Sequence, residues 1–140
     1  MTKYQWDPSL AVGIDLIDAQ HRELINRLDQ VNTAVENGLG GAEIVKTLSF
    51  LTDYTDYHFK TEEKNMKKHC YPALKEHQQA HADLIGTLKD LEQDFLEEGA
   101  HQKLAEAINT FLNNWLITHI KGVDVKFGSF LQEKGLDCTE

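Results

Sequence analysis

Apolar residues recur every three to four positions in four stretches of the 140-residue chain, and this spacing predicts four amphipathic helices. In the first stretch the apolar stripe consists of Ile14, Ile17, Leu24, Ile25, Leu28, Val31 and Val35. We predict that this helix begins at Asp15, a suitable N-cap, and ends at Asn37 and Gly38. The other predicted helices cover about residues 42–68, 72–95 and 102–120. Pro72 suits the first turn of the third helix, and Gly99 follows its end.

Loops of only a few residues join these helices, so the chain is expected to run up, down, up and down. The predicted fold is therefore an all-α, antiparallel four-helix bundle. The first dozen residues, which include Trp6 and Pro8, are expected to form an extended arm before it. A short further helix is expected in the tail segment DVKFGSFLQEKG. No repeat or linker divides the chain, and residues 1–140 are expected to form a single domain.

Charge and composition exclude several classes of function. The chain has 14 basic and 23 acidic residues and a net charge of -9, which disfavours binding to nucleic acid or to an anionic membrane. It lacks an apolar run of the roughly 20 residues that a membrane span needs, and MTKYQWDPSL does not resemble a secretory signal. We therefore expect a cytoplasmic protein. Cys70 and Cys138 are too few for a disulfide scaffold and are expected to be reduced thiols.

Most histidines of the chain fall where an antiparallel bundle would bring them to one end. The start of an odd-numbered helix meets the end of an even-numbered one, and the candidates at those places are His21, His58, Glu62, His77, His81 and His119. In HFKTEE and in HQQAH the paired residues are four apart, so each pair shares one helix face. That face also carries leucines, which indicates that the pairs point into the core.

Asp124 joins this set only if the backbone is irregular. It follows His119 by five residues, which on a regular helix turns the two side chains about 140° apart. A π-type bulge would bring positions five apart onto one face, and Gly122 makes such a distortion cheap. We therefore predict irregular backbone at residues 120–124.

A single histidine on an apolar stripe is usually a core residue with a hydrogen-bond partner. Five histidines and two carboxylates at one end of one bundle are different, because several would lack partners at a cost of about 1–3 kcal/mol each. A shared metal cluster would satisfy them all. The remaining histidines are expected to be solvated: His69 and His101.

Three further side chains lie within one helical turn of these candidates. Asp18 lies one turn before His21 and either orients its ring or serves only as a first-turn acid. Trp115 is a core residue that can also line the site. Glu63, beside Glu62, is expected to be a solvated neighbour.

Seven candidate ligands exceed what one ion takes in four- to six-coordinate geometry, so two metals are implied. A carboxylate from each of two helices can bridge them, and five histidines then divide as three and two, which leaves one metal a ligand short. Imidazole and carboxylate donors suit iron or manganese better than a closed zinc site or magnesium and calcium. Neutral histidines donate less charge than the ligands of carboxylate-rich di-iron sites, which favours reversible two-electron transfer to dioxygen.

The chain resembles hemerythrins, most closely the single-domain bacterial ones. The resemblance lies in WDPSLAVGIDLIDAQHREL, HFKTEE, HQQAH and WLITHIKGVD, and in the ordered pattern H…HxxxE…HxxxH…HxxxxD. It implies two non-haem irons bridged by oxide or hydroxide, with dioxygen bound end-on as hydroperoxide at the five-coordinate iron. It further implies that the saturated iron is held by His77, His81 and His119, the open iron by His21 and His58, and both by the bridging Glu62 and Asp124.

The function that follows from this resemblance is reversible dioxygen binding by a carrier or storage protein that is not an enzyme. Residues expected to form a dry oxygen pocket are Leu24, Leu28, Phe59, Trp115 and Leu116. Alternatives left open are an oxygen or redox sensing module, an iron-handling or peroxide- or nitric-oxide-reactive protein, and a structural metal bundle. An unidentified protein client that receives the oxygen is also left open.

Overall fold

The computed structural model describes residues 6–98 and 102–140. Its helices are α1 Asp15–Glu36, α2 Gly41–Lys68, α3 Leu74–Glu98, α4 Gln102–His119 and α5 Val125–Glu133, with a 3-10 turn at Pro8–Leu10 and a π-helical turn at Ile120–Asp124. Helix α2 packs against α1 and α3, and α1 also packs against α4. The predicted all-α four-helix bundle is confirmed. None of the helices in the described ranges is long and apolar enough to cross a membrane.

The N-cap of helix α1 lies one residue earlier in the sequence than predicted. Ile14, with extended φ and ψ of -118° and 113°, occupies the N-cap position, and Asp15 is the first helical residue. The prediction of Asp15 as the N-cap is therefore wrong. The Asn37-Gly38 end is confirmed: Gly38 has φ of 63°, and the N–H of Leu39 donates to the carbonyl of Ala34 at 3.1 Å. This is a Schellman ending, in which a left-handed glycine turns the chain back onto the last helical carbonyls.

Helix α3 begins two residues after the predicted start. Pro72 lies in the turn that joins α2 to α3, and the first helical residue is Leu74. The preceding Cys70 has φ of 54°, so the connection makes a sharp left-handed step before the proline. The helix extends to Glu98, three residues beyond the predicted end at about residue 95, whereas Gly99 and His101 lie outside the described residues.

The apolar stripes meet along the axis of the bundle. Side chains that are almost completely buried there include Ile17, Leu24, Leu28, Leu48, Met66, Leu88 and Phe95. The same stripes continue towards the bundle end where the histidines lie, so the packing of the core also positions those side chains.

Helix α4 continues through the π-helical turn directly into α5. The N–H of Val125 donates to the carbonyl of Ile120, five residues earlier, in place of the usual four. A turn with one additional residue brings positions five apart onto the same face. The irregular backbone predicted at residues 120–124 is confirmed, as is the short helix in the tail segment.

The two chain ends pack onto the helices. In the arm before α1, Val12 donates its N–H to the buried Asp18 carboxylate at 2.8 Å. In the tail after α5, the Asn65 side chain of α2 donates to the Thr139 carbonyl at 2.8 Å and accepts from the Thr139 N–H at 2.9 Å. These paired contacts hold Cys138, a buried and unpaired cysteine, against the bundle.

Close packing between the arm and α5 can be tested at two glycines. A methyl group at Gly128 would lie 2.3 Å from the Val12 carbonyl oxygen, whereas one at Gly122 would have no neighbour within 4 Å. We expect Gly128→Ala to lower the free energy of unfolding by about 1–3 kcal/mol because the arm must shift. Gly122→Ala should change it by no more than about 1 kcal/mol, in the stabilising direction. Chemical denaturation of both variants measures this, and equal stability of Gly128→Ala and the parent would contradict the packing.

Candidate metal centre

Seven buried side chains converge at one end of the bundle. They come from α1, α2, α3, the end of α4 and the π-helical turn, and they are His21, His58, Glu62, His77, His81, His119 and Asp124. Their exposed fractions lie between 0 and 5%. The structure thus brings together all of the candidate ligands that were chosen from the sequence.

The donor atoms of these side chains form two groups that share Asp124. One group is His77, His81, His119 and Asp124, and the other is His21, His58, Glu62 and Asp124. Within each group the donor atoms lie within 4.8 Å of one another. Glu62 also approaches the first group, since its Oε1 is 3.8 Å from His81 Nε2. Such an arrangement can hold two metal ions with three histidines on one side and two on the other.

Asp124 directs a different oxygen towards each group. Its Oδ2 lies 3.0 Å from His21 Nε2, whereas its Oδ1 lies 3.4 Å from His77 Nε2 and 3.2 Å from His119 Nε2. The π-helical turn makes this possible, because it places Asp124 beside His119 on the inner face. A carboxylate with one oxygen on each side is suited to bridging two ions.

Several of these donor atoms are buried without a hydrogen bond. They are both carboxylate oxygens of Glu62 and Asp124 and Nε2 of His21, His58 and His77. His58 Nε2 and Glu62 Oε1 are only 2.8 Å apart, but this contact lacks hydrogen-bond geometry. Each such atom would cost about 1–3 kcal/mol if nothing compensated it. Cations between the two groups would compensate all of them, so the donor set fits a pair of metal ions.

Two histidines have their outer ring nitrogen held by a side chain that the sequence analysis did not assign to the site. His58 Nδ1 donates to Gln20 Oε1 at 2.6 Å, and His81 Nδ1 donates to Glu63 Oε2 at 2.8 Å. The prediction that Glu63 is merely solvated is wrong. Neither contact could be predicted from residue spacing, because Gln20 and Glu63 lie on different helices from the histidines that they contact.

Of the two readings of Asp18, the structure supports the first-turn acid of α1, since its carboxylate accepts the N–H of Val12 and His21 Nδ1 has no hydrogen-bond partner. The prediction for His69 needs correction. His69 is partly buried rather than freely solvated, and its Nε2 lies 3.0 Å from the carbonyl oxygen of Asp137. Trp115 both packs on the core and borders the site, since its ring stacks on His119 with centroids 4.5 Å apart.

Burial and the contacts among the buried groups set the protonation of the site. It lowers the pKa of His58 to about 4 and that of His81 to about 2, so both rings are neutral at pH 7 and able to bind a metal. Burial, with the nearby Asp124 charge, raises the pKa of Glu62. Burial also opposes ionisation of Asp124, but contacts with His119, His21 and His77 hold its pKa well below the usual value. Asp124 is therefore the permanent negative charge of the cluster.

A small apolar cavity lies next to the cluster. Its volume is about 20 Å³, and about 10–15 Å³ is enough for one molecule the size of water. Its lining consists of Leu24, Leu28, Leu51, Thr55, Phe59, Leu84, Leu88, Leu112, Trp115 and Leu116. All five residues expected in an oxygen pocket are among them. Thr55 is the polar member, and its hydroxyl donates to the Leu51 carbonyl at 2.6 Å.

The cavity is separated from two cluster histidines by aromatic rings. Phe59 stacks on His81 with centroids 3.7 Å apart and 5° between the ring planes, and Trp115 stacks on His119. On all four helices of the bundle a lining residue lies three positions from a cluster histidine, as for Leu24 after His21. The cavity is thus one helical turn deeper in the bundle than the metal ligands would be.

An antiparallel four-helix bundle with a buried cluster of histidines and carboxylates at one end defines a two-metal helical-bundle protein. Comparison with known proteins specifies the family. Residues 12–131 match the family model described as "Hemerythrin HHE cation binding domain". The chain belongs to the hemerythrin family, and the resemblance noted in the sequence is confirmed.

Individual relatives match over most of the chain. A bacteriohemerythrin of Stenotrophomonas maltophilia (strain R551-3) is 31% identical over 119 residues, which cover 85% of this chain and 75% of the relative. A myohemerythrin of Theromyzon tessulatum is 30% identical over 124 residues, 89% of this chain and 90% of the relative. A crystal structure of wild-type hemerythrin has a TM-score of 0.80 and 27% identity, covering 91% of this chain and 97% of that one. The family and the donor cluster together support oxygen binding at a di-iron centre.

Proposed function

We propose that this protein binds dioxygen reversibly at a pair of iron ions and acts as a carrier or store, not as an enzyme. One observation carries the proposal. The oxygens of Asp124 face two histidine groups of unequal size, and an apolar cavity for a small molecule adjoins them. When bound, the iron pair supplies the two electrons that dioxygen takes up and returns on release.

The ligand roles follow from the two donor groups. We assign His77, His81 and His119 to the iron with a complete set of protein ligands and His21 and His58 to the iron with a vacant position. Glu62 and Asp124 would bridge the two. This assignment is supported by the membership of each group and by the contact of Glu62 with the far group through His81.

The lining of the cavity favours a carrier over an enzyme. None of the described residues that form its wall has a titratable side chain, and the Thr55 hydroxyl is already donated to a backbone carbonyl. The wall therefore offers no proton donor to a bound oxygen species, and its apolar surface excludes water. Slow proton delivery would favour release of dioxygen over release of peroxide.

Three further assignments belong to this proposal. We assign residues 1–140 to one domain, which the match over residues 12–131 supports. The free and exposed Cys70 is in keeping with a reducing compartment such as the cytoplasm. The net charge of -9 argues against nucleic acid or an anionic membrane as a partner, while a protein client stays unidentified.

The proposal is tested by loading the protein with ferrous iron without oxygen, counting the bound metal and recording optical spectra. We expect two irons per chain and a visible band that appears on admission of oxygen and disappears on its removal. Binding of one metal, or a spectrum that changes once and does not return, would instead indicate a structural site, an iron donor or an enzyme. Steady turnover of added peroxide without bleaching would favour the enzyme.

A further inference from the structure

The two donor groups differ in the side chain that accepts the Nδ1 proton of one of their histidines. In the three-histidine group, His81 donates its Nδ1 proton to the carboxylate of Glu63 at 2.8 Å. In the two-histidine group, His58 donates to the amide oxygen of Gln20 at 2.6 Å. One outer acceptor therefore carries a formal negative charge and the other is neutral.

Both contacts fix the same ring tautomer. A histidine that presents the lone pair of Nε2 to the cluster must carry its proton on Nδ1, and that proton needs an acceptor. Glu63 accepts this proton through a carboxylate oxygen, and Gln20 must turn its oxygen, not its amide nitrogen, towards His58. Orientation is thus served equally well by both side chains, and the remaining difference between them is charge.

Charge on the outer acceptor changes how strongly the ring donates to a metal. A carboxylate draws the Nδ1 proton towards itself and makes Nε2 more basic, which stabilises the more highly charged state of a bound metal. A neutral amide has a smaller effect. We propose that Glu63 is a positioning residue that makes the half of the centre held by His77, His81 and His119 the more easily oxidised half. This inference rests on the iron pair of the proposed function.

Burial explains why the charge lies on this side. The Gln20 side chain is 3% exposed, whereas that of Glu63 is 25% exposed and borders an open groove between α2 and α3. A carboxylate at the Gln20 position would be buried away from water at a high cost. At the Glu63 position water can solvate the oxygen that does not contact His81.

The consequence concerns the order in which electrons leave the pair. If a one-electron mediator such as ferricyanide oxidises the diferrous centre, the first electron leaves the three-histidine half and reduces the mediator. The second electron leaves the two-histidine half at a higher potential. The half with the vacant position thus remains ferrous longer.

Glu63→Gln tests this role because glutamine keeps an acceptor oxygen of the same reach and removes only the charge. The measurement is a mediated spectroelectrochemical titration of the iron-loaded protein, with the two one-electron steps resolved. We expect the reduction potential of the first step to rise by about 59 mV, which for one electron corresponds to a tenfold weaker preference for ferric over ferrous iron. The second step should move less.

Asp56→Asn is the matched control, since Asp56 borders the same groove and pairs with Lys60 rather than with a histidine ring. It removes the same charge, and its potentials should stay close to those of the parent. An equal shift of the first potential in both variants would show that any nearby charge has this effect and would overturn the inference. An unchanged first potential in Glu63→Gln would overturn it as well. A parent that fails to bind two irons would instead contradict the proposed function.

A second measurement uses the metal-free protein and does not depend on oxygen binding. Nitrogen-15 spectra of the histidine rings report which ring nitrogen of His81 is protonated. We expect the Nδ1–H form in the parent and in Glu63→Gln, and its loss in Glu63→Leu, which has no acceptor. Retention of that form in Glu63→Leu would show that Glu63 does not set the tautomer and would overturn the positioning role.

Discussion

Replacing Asp124 with asparagine is expected to lower the iron content from two ions per chain to fewer than one and to abolish the oxygen-dependent optical band. Asp124 belongs to both donor groups and directs one oxygen to each. Asparagine retains one uncharged oxygen, and its amide nitrogen would turn donor protons towards a metal. Even the outer partners of metal ligands are worth about 10–100-fold in affinity, and a shared direct ligand should be worth more. Metal analysis after anaerobic loading and desalting measures the loss.

The matched control for this change is Glu133→Gln. Glu133 ends α5, nine residues after Asp124 in the same helical stretch, but its side chain is exposed, whereas that of Asp124 is buried. It should retain two irons and the reversible band. Circular dichroism of Asp124→Asn distinguishes loss of metal from loss of fold. A folded Asp124→Asn protein that still binds two irons would rule out the bridging role of this residue.

Leu24→Ala is expected to shorten the life of the oxygenated form several-fold and to destabilise the protein by about 2–5 kcal/mol. Leu24 is 1% exposed and lines the cavity one turn from His21. Removing most of its side chain enlarges the apolar cavity and gives water and its protons access to the bound oxygen. Oxygen should then leave as peroxide more often, and the irons should become ferric faster. The decay of the visible band in air measures this rate.

Leu48→Ala separates the pocket effect from the loss of stability. Leu48 is fully buried in α2 but does not line the cavity, and it precedes His58 by ten residues, about 15 Å along the helix. It should cost a similar free energy of unfolding without shortening the life of the oxygenated form. If Leu24→Ala kept an oxygenated form as long-lived as that of the parent, Leu24 would have no role in protecting the bound oxygen.

Much of the site could be predicted because it depends on helical geometry and chain topology alone. The spacing of His58 and Glu62, and of His77 and His81, places each pair on one face, and short loops bring those faces to one bundle end. The five-residue spacing of His119 and Asp124 was incompatible with a regular helix, and the π-helical turn at Ile120–Asp124 resolves it. Even this irregular element could therefore be predicted from the spacing of two nearby residues.

Contacts between helices could not be predicted in the same way. Gln20 and Glu63 reach His58 and His81 from neighbouring helices, over 38 and 18 residues of chain. Asp18, one turn from His21, contacts the arm through Val12 instead. Such choices depend on rotation of each helix about its axis by a few tens of degrees, for which no residue spacing is diagnostic.

The sequence by itself determined the four helices, their antiparallel order, the end at which the histidines meet and the need for a distorted turn before Asp124. These follow from helical periodicity and from loops too short for another topology. Only the tertiary structure decided which oxygen of Asp124 faces which histidines and how small the apolar cavity is. It also decided that the carboxylate of Glu63 contacts His81. Those features arise from side-chain packing between helices, where differences of a few ångströms decide which side chains are in contact. The local sequence does not predict these distances.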